Sequence, residues 1–162
     1  MFFILAALIL APFGTTTQVL EMGRIADVLP AEGLDKTSVT VLRDQAALNA
    51  HYYLADETVL GLGNKTEAVF ARYRTAGGVA LLLAVAYPSD AEARRIYEKF
   101  GQDFFSKTFD GKSPRTLEKL ETGDYAAAFL SRSVLIVVLE APDRKSCEAL
   151  IKQAEEKTLA LF

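Results

Sequence analysis

Residues 79–87 (Val-Ala-Leu-Leu-Leu-Ala-Val-Ala-Tyr) run without a charge and end at Pro88-Ser89. A run this short cannot cross a bilayer, and with no apolar/polar alternation it reads as a strand buried on both faces. Ser89 with Glu92 three positions on has capping-box spacing, so the chain should pass straight from strand into helix. In that helix Ala93, Ile96, Tyr97, Phe100 and Phe104 share a face, leaving Glu92, Arg95, Glu98 and Lys99 to water. Upstream, Val69, Ala71 and Tyr73 alternate with Ala68, Phe70, Arg72 and Arg74, and Ala76-Gly77-Gly78 supplies a turn, which together predict an antiparallel hairpin.

The succession then repeats. Strand patterns at residues 125–130 and 134–140 flank Ser131-Arg132-Ser133, and Ala141-Pro142-Asp143 stands where the first unit has Tyr87-Pro88-Ser89. A final helix with Asp143 as N-cap carries Cys147, Leu150, Ile151 and Ala154, each 54 positions after Ala93, Ile96, Tyr97 and Phe100. Two tandem hairpin-plus-helix units, residues 67–105 and 124–160, predict an α+β fold with an antiparallel sheet and the helices packed on one face. Such a sheet would leave its other face free for a partner or ligand.

The rest of the chain is less regular. Residues 1–11 are apolar and stop at Pro12. That length fits a signal-peptide core, although no Lys or Arg precedes it and Ile9, two before Ala11, is not the small residue a cleavage site needs, while a buried core segment fits equally. We therefore treat residues 1–14 as one segment, signal-like or core, and residues 15–162 as a single domain. Thr15-Thr16-Thr17 can cap a helix over residues 15–29 that ends at Pro30. Residues 31–36 read as a turn, residues 37–42 as a short strand, and Asp44 as the cap of a short helix containing Ala46, Ala47, Leu48 and Ala50. Residues 106–123 read mostly as a long connection with room for a short strand.

Composition narrows the function classes. Eighteen Lys and Arg against 21 Asp and Glu give a net charge of −3, with no basic run longer than two, so nucleic acid is not an expected partner. One Cys and one His provide neither an internal disulfide nor a Cys/His metal cluster, and no cofactor is expected. A membrane enters only through the N-terminal segment, if that segment is retained.

Tyr52-Tyr53-Leu54-Ala55-Asp56-Glu57-Thr58-Val59-Leu60, followed by residues 67–73 and the strand-and-helix unit at 79–100, resembles the C-terminal half of an uncharacterised bacterial family, often found behind a secretion signal. The family motif has Asn where this chain has Thr58. The resemblance covers residues 29–162 and implies a related upstream half and an extracytoplasmic location, against a cytoplasmic alternative. It implies no activity.

Candidate chemistry centres on His51, Tyr52, Asp56 and Glu57. A carboxylate beside His can poise it for proton transfer. On a helix, however, residues 51 and 56 do not face each other, and a surface helix end explains the cluster more simply. Arg72 and Arg74, with Arg94 and Arg95 on the following helix, could hold an anion, or be solvated charges on outer faces. Gly61-Leu62-Gly63-Asn64-Lys65-Thr66 lacks the Gly before Lys and the following helix that a phosphate loop needs. Asn64-Lys65-Thr66 would accept a glycan only in a secretory host. Cys147 falls on a buried stripe, and Ser131 and Ser133 have no base nearby in sequence. The expected function is a non-enzymatic module that binds a small ligand or a protein, or has a structural role. The alternative is a small enzyme using His51 with Asp56 or Glu57.

Overall fold

The computed structural model describes residues 23–162, so the apolar stretch 1–11 and most of the helix expected over 15–29 lie outside the described residues. Strands form at Thr40–Leu42 (β1), Glu67–Thr75 (β2), Gly78–Ala86 (β3), Arg115–Lys119 (β4), Tyr125–Ser131 (β5) and Val134–Ala141 (β6). Helices form at Gln45–Asn49 (α1), Asp90–Phe104 (α2) and Arg144–Leu159 (α3). The strands make one sheet in the order β1-β2-β3-β6-β5-β4, antiparallel throughout, and the fold is α+β.

Both expected hairpins are present. The β2–β3 turn is Ala76-Gly77, with Thr75 opposite Gly78, and the β5–β6 turn is Arg132-Ser133, with Ser131 opposite Val134. Arg132 takes φ +51° there. The helix starts were also legible. Ser89 Oγ accepts from Glu92 N at 3.1 Å, Asp143 Oδ1 from Ser146 N at 2.8 Å, and Asp44 Oδ1 from Ala47 N at 2.8 Å. In each case a side chain satisfies a donor that the first helical turn leaves unpaired.

The helices do not share a face, which corrects the sequence expectation. α2 buries Ala93, Ile96, Tyr97 and Phe100 against Leu83, Val85, Ala126, Ala128, Leu135 and Val137, together with Leu48 of α1. α3 buries Cys147, Leu150, Ile151 and Ala154 on the opposite side, against Leu82, Ala84, Ala127, Phe129, Ile136 and Val138. The cause is one residue in β6. Leu82 pairs with Val138 and Leu81 with Glu140, so Leu139 is a bulge. Because side chains alternate with period two, one extra residue exchanges the faces beyond it. Val138 and Ala141 therefore lie on the same side, whereas unbulged β3 puts Tyr87, the counterpart of Ala141, on the other. Each helix then lands on the side to which the residue before its proline points, Tyr87 before Pro88 for α2 and Ala141 before Pro142 for α3.

Two smaller corrections concern the start of the described chain. Instead of an α-helix, the backbone makes a 3-10 turn over Ile25–Val28, because Gly23 at φ +88° breaks the helical path before it and Pro30 follows. Ile25, Val28 and Leu29 pack on the α3 side. The strand expected over 37–42 begins only at Thr40, since Lys36–Ser38 forms a second 3-10 turn whose cap, Asp35, accepts from Thr37 N at 3.1 Å. Beyond the end of β1 the edge of β2 is covered by this same segment. Arg74 N donates to Gly33 O at 2.7 Å, Asp35 N to Arg72 O at 3.0 Å, and Arg72 N to Ser38 Oγ at 2.8 Å.

Candidate functional site

The structure divides the residues singled out from sequence. The imidazole of His51 stacks on the Phe70 ring, centroids 4.9 Å apart at 19°. Asp56 turns to other partners. Its Oδ1 accepts from Thr58 N at 2.8 Å and Thr58 Oγ1 at 2.7 Å, and its Oδ2 meets Lys99 of α2 at 3.3 Å. The Thr58 bonds, more than the lysine, hold this carboxyl below its usual range. Glu57 is exposed. Among the described residues no hydrogen bond or ion pair joins His51 to Asp56 or Glu57, so the acid/base group is not assembled.

Tyr52 is half-buried on the α2 side of the sheet, and burial, then the charges of Glu140 and Asp124, raises its hydroxyl pKa. Arg72 and Arg74 are exposed on the Phe70 face of β2, opposite Leu81 and Val79 of β3. Asp35 feels both cations, although its lowered pKa owes most to the Thr37 hydroxyl. Residues 63–66 form a closed turn, with Thr66 N on Gly63 O at 3.2 Å and Gly63 N on Thr66 Oγ1 at 3.0 Å, and β2 follows directly. With the N–H groups of Gly63 and Thr66 bonded inside the turn and a strand rather than a helix after it, this segment lacks the geometry of a phosphate loop.

Helices pack on both faces of the sheet, so neither face is open along its whole length, although Arg72, Arg74 and Val79 stay exposed on the α2 side. Space for a ligand lies instead at its margin, where the β2–β3 turn meets the first turns of α3. A cleft of about 590 Å³ opens there, within the range of small-molecule sites. Tyr73 and Leu150 supply apolar lining, Thr75 to Gly77 form one wall, and Glu32, Lys145 and Gln153 bring polar groups. Glu32 Oε2 accepts from Gln153 Nε2 at 3.1 Å, which ties the loop before β1 to α3. The Tyr73 hydroxyl donates to Pro30 O at 3.1 Å, and burial raises its pKa. Asp143, at the same edge, is held below its usual range by the backbone N–H and then the hydroxyl of Ser146. Ser146 therefore gives its proton to a carboxylate already committed to capping α3, and no histidine lines the cleft. The arrangement can bind opposite charges over an apolar lining but has no activated nucleophile.

Of the residues chosen from sequence only Arg74 lines this cleft. Glu32 and Gln153 lie 121 positions apart, so no local spacing could have joined them. Among the described residues no group of three His, Cys, Asp or Glu could hold a metal ion, and no helix is long and apolar enough to cross a membrane. No protein-family model, curated protein or solved structure matches the chain.

Proposed function

We propose that the chain is a non-enzymatic α+β binding module, acting outside the cytoplasm, whose ligand is a small zwitterion held in the cleft between the β2–β3 turn and α3. The reading rests on one observation, a carboxylate (Glu32) and an ammonium (Lys145) lining the same partly apolar cleft. A ligand carrying an amino group and a carboxylate would meet the complementary charge at each end, and an apolar side chain would cover Tyr73 and Leu150. Placement outside the cytoplasm draws on the signal-length apolar run and on the resemblance to a family often found behind a secretion signal.

The test is a titration of isotope-labelled protein with free leucine, monitored by amide shifts. Shifts confined to residues 75–77 and 145–150, lost in both Glu32→Lys and Lys145→Glu, support the reading. Unperturbed spectra, or equal shifts with the two charge-reversed variants, reject it. Location is tested separately by the intact mass of the protein recovered from periplasm or medium against cytosol. Recovery from cytosol alone with Met1 intact rejects export.

A further inference from the structure

The outer edge of the sheet at β4 is independent of the cleft. Leu120 N bonds to Asp124 O at 2.8 Å and Leu130 N to Pro114 O at 2.8 Å, which fixes the alternation of the β4–β5 ladder. The backbone groups of Thr116 and Glu118 therefore face β5, and those of Arg115, Leu117 and Lys119 face away from it. Ser113 Oγ occupies the outward groups of Arg115, donating to its carbonyl at 2.8 Å and accepting from its N–H at 3.3 Å. Among the described residues no hydrogen bond reaches the outward groups of Leu117 or Lys119.

A groove of about 430 Å³ runs along this edge, lined by Lys107, Leu117, Lys119, Tyr125 and Arg144 and, as its one acidic member, Glu118. No carboxylate lies within ion-pair distance of Lys107 or Lys119 among the described residues, and Lys119 Nζ sits 5.8 Å from the centre of the Tyr125 ring. The one acidic side chain of the strand, Glu118, is buried and turned to the other face, where its Oε2 accepts from Lys107 N, Thr108 N and Thr108 Oγ1 at 3.2, 3.0 and 2.9 Å.

We propose that β4 receives an extended acidic segment of another protein as a seventh, antiparallel strand. The incoming segment sets a carboxylate opposite Lys119 and an apolar residue opposite Leu117, while Arg115 is already paired with Glu155 of α3, Nη1 to Oε2 at 3.3 Å. Strand addition uses open ladder groups for affinity and alternate side chains for selectivity. The same residues discourage a second copy of this chain, because antiparallel pairing centred on Leu117 sets Arg115 opposite Lys119 of the copy.

The experiment uses the full chain and the peptide acetyl-Glu-Thr-Val-Thr-Glu-amide, with acetyl-Lys-Thr-Val-Thr-Lys-amide as control. We expect the acidic peptide to shift the Leu117 and Lys119 amides and slow their hydrogen exchange, and to bind more weakly as salt is raised. Lys119→Glu should weaken binding by about tenfold or more through charge. Lys119→Pro should weaken it by removing one outward donor while leaving the β5 and β6 amide pattern intact. The proposal is overturned if millimolar acidic peptide leaves β4 unchanged or if the basic peptide binds as well. It is likewise overturned if Leu117 and Lys119 are already protected in the free chain, whether that chain is a monomer or a dimer by sedimentation.

Discussion

Gly33 is held in place by two constraints at once. Its φ of +73° lies in the left-handed region, and a Cβ there would run into the carbonyl oxygen of Arg74, to whose N–H Gly33 itself is bonded. Gly33→Ala should therefore cost about 2 kcal/mol or more, combining backbone strain with the loss of the bonds that close the β2 edge. A lowered urea midpoint at unchanged slope checks this. Tyr73→Phe is milder. It leaves the Pro30 carbonyl without its buried donor and should cost about 1 kcal/mol, read in the same way. At this scale the capping residues Asp44, Ser89 and Asp143 were legible, because a cap is written within four residues of sequence. The pairing of Glu32 with Gln153 was not, because only the folded chain brings them together.

At the scale of elements, hairpins and helices could be read from period and punctuation, and the face each helix covers could not. Leu135 to Leu139 is apolar at every position, as suits a strand buried on both sides, so nothing marks where the alternation slips. The bulge became visible only through the pairing of Leu81 with Glu140 beside Leu82 with Val138. Deleting Leu139 should restore regular alternation and direct the chain after Ala141 toward the side already filled by α2. We expect loss of the cooperative unfolding transition, or a species that retains helical circular dichroism but loses the α3-side amide dispersion. A native-like spectrum for this deletion would contradict the assignment of Leu139 as the residue that separates the helices. The binding expectation depended on the same slip, since helices on one side would have left the other side of the sheet open.

For the whole molecule the ionisable groups set a pH window. The pKa of Tyr97 is pushed up to about 12, chiefly by burial, and burial raises those of Tyr73 and Tyr87 as well. A raised phenol pKa favours the protonated folded state. This stability is fully present below the unfolded value near 10 and is lost as pH rises toward the folded value. Asp35, Asp56, Asp110 and Asp143 are shifted the other way, mainly by hydrogen bonds, so their contribution holds above about pH 4 and falls as they protonate. Glu140, its pKa raised by burial, opposes the aspartates near the acid limit, and Cys147, raised by burial from 9.0, begins the alkaline loss before the tyrosines. Melting temperature should therefore hold between about pH 5 and pH 9 and drop at both ends. Tyr97→Phe should reduce the alkaline drop, and Asp143→Asn the acid one. The overall class was legible because two similar units carried nearly all the apolar positions. The cleft at the sheet margin was not, because it joins a loop before β1, a hairpin turn and the last helix.

Cys147, the single thiol of the chain, lies fully buried between α3 and the sheet, its pKa pushed up to about 12 chiefly by burial. Only the thiolate reacts with disulfide reagents, so the folded molecule should be nearly inert to them at neutral pH. The protein thus carries its own clock. The rate at which a colorimetric disulfide reagent consumes this sulfur counts how often α3 lifts from the sheet, without any added label. If a ligand in the cleft bridges α3 and the β2–β3 turn, that clock should slow when it binds.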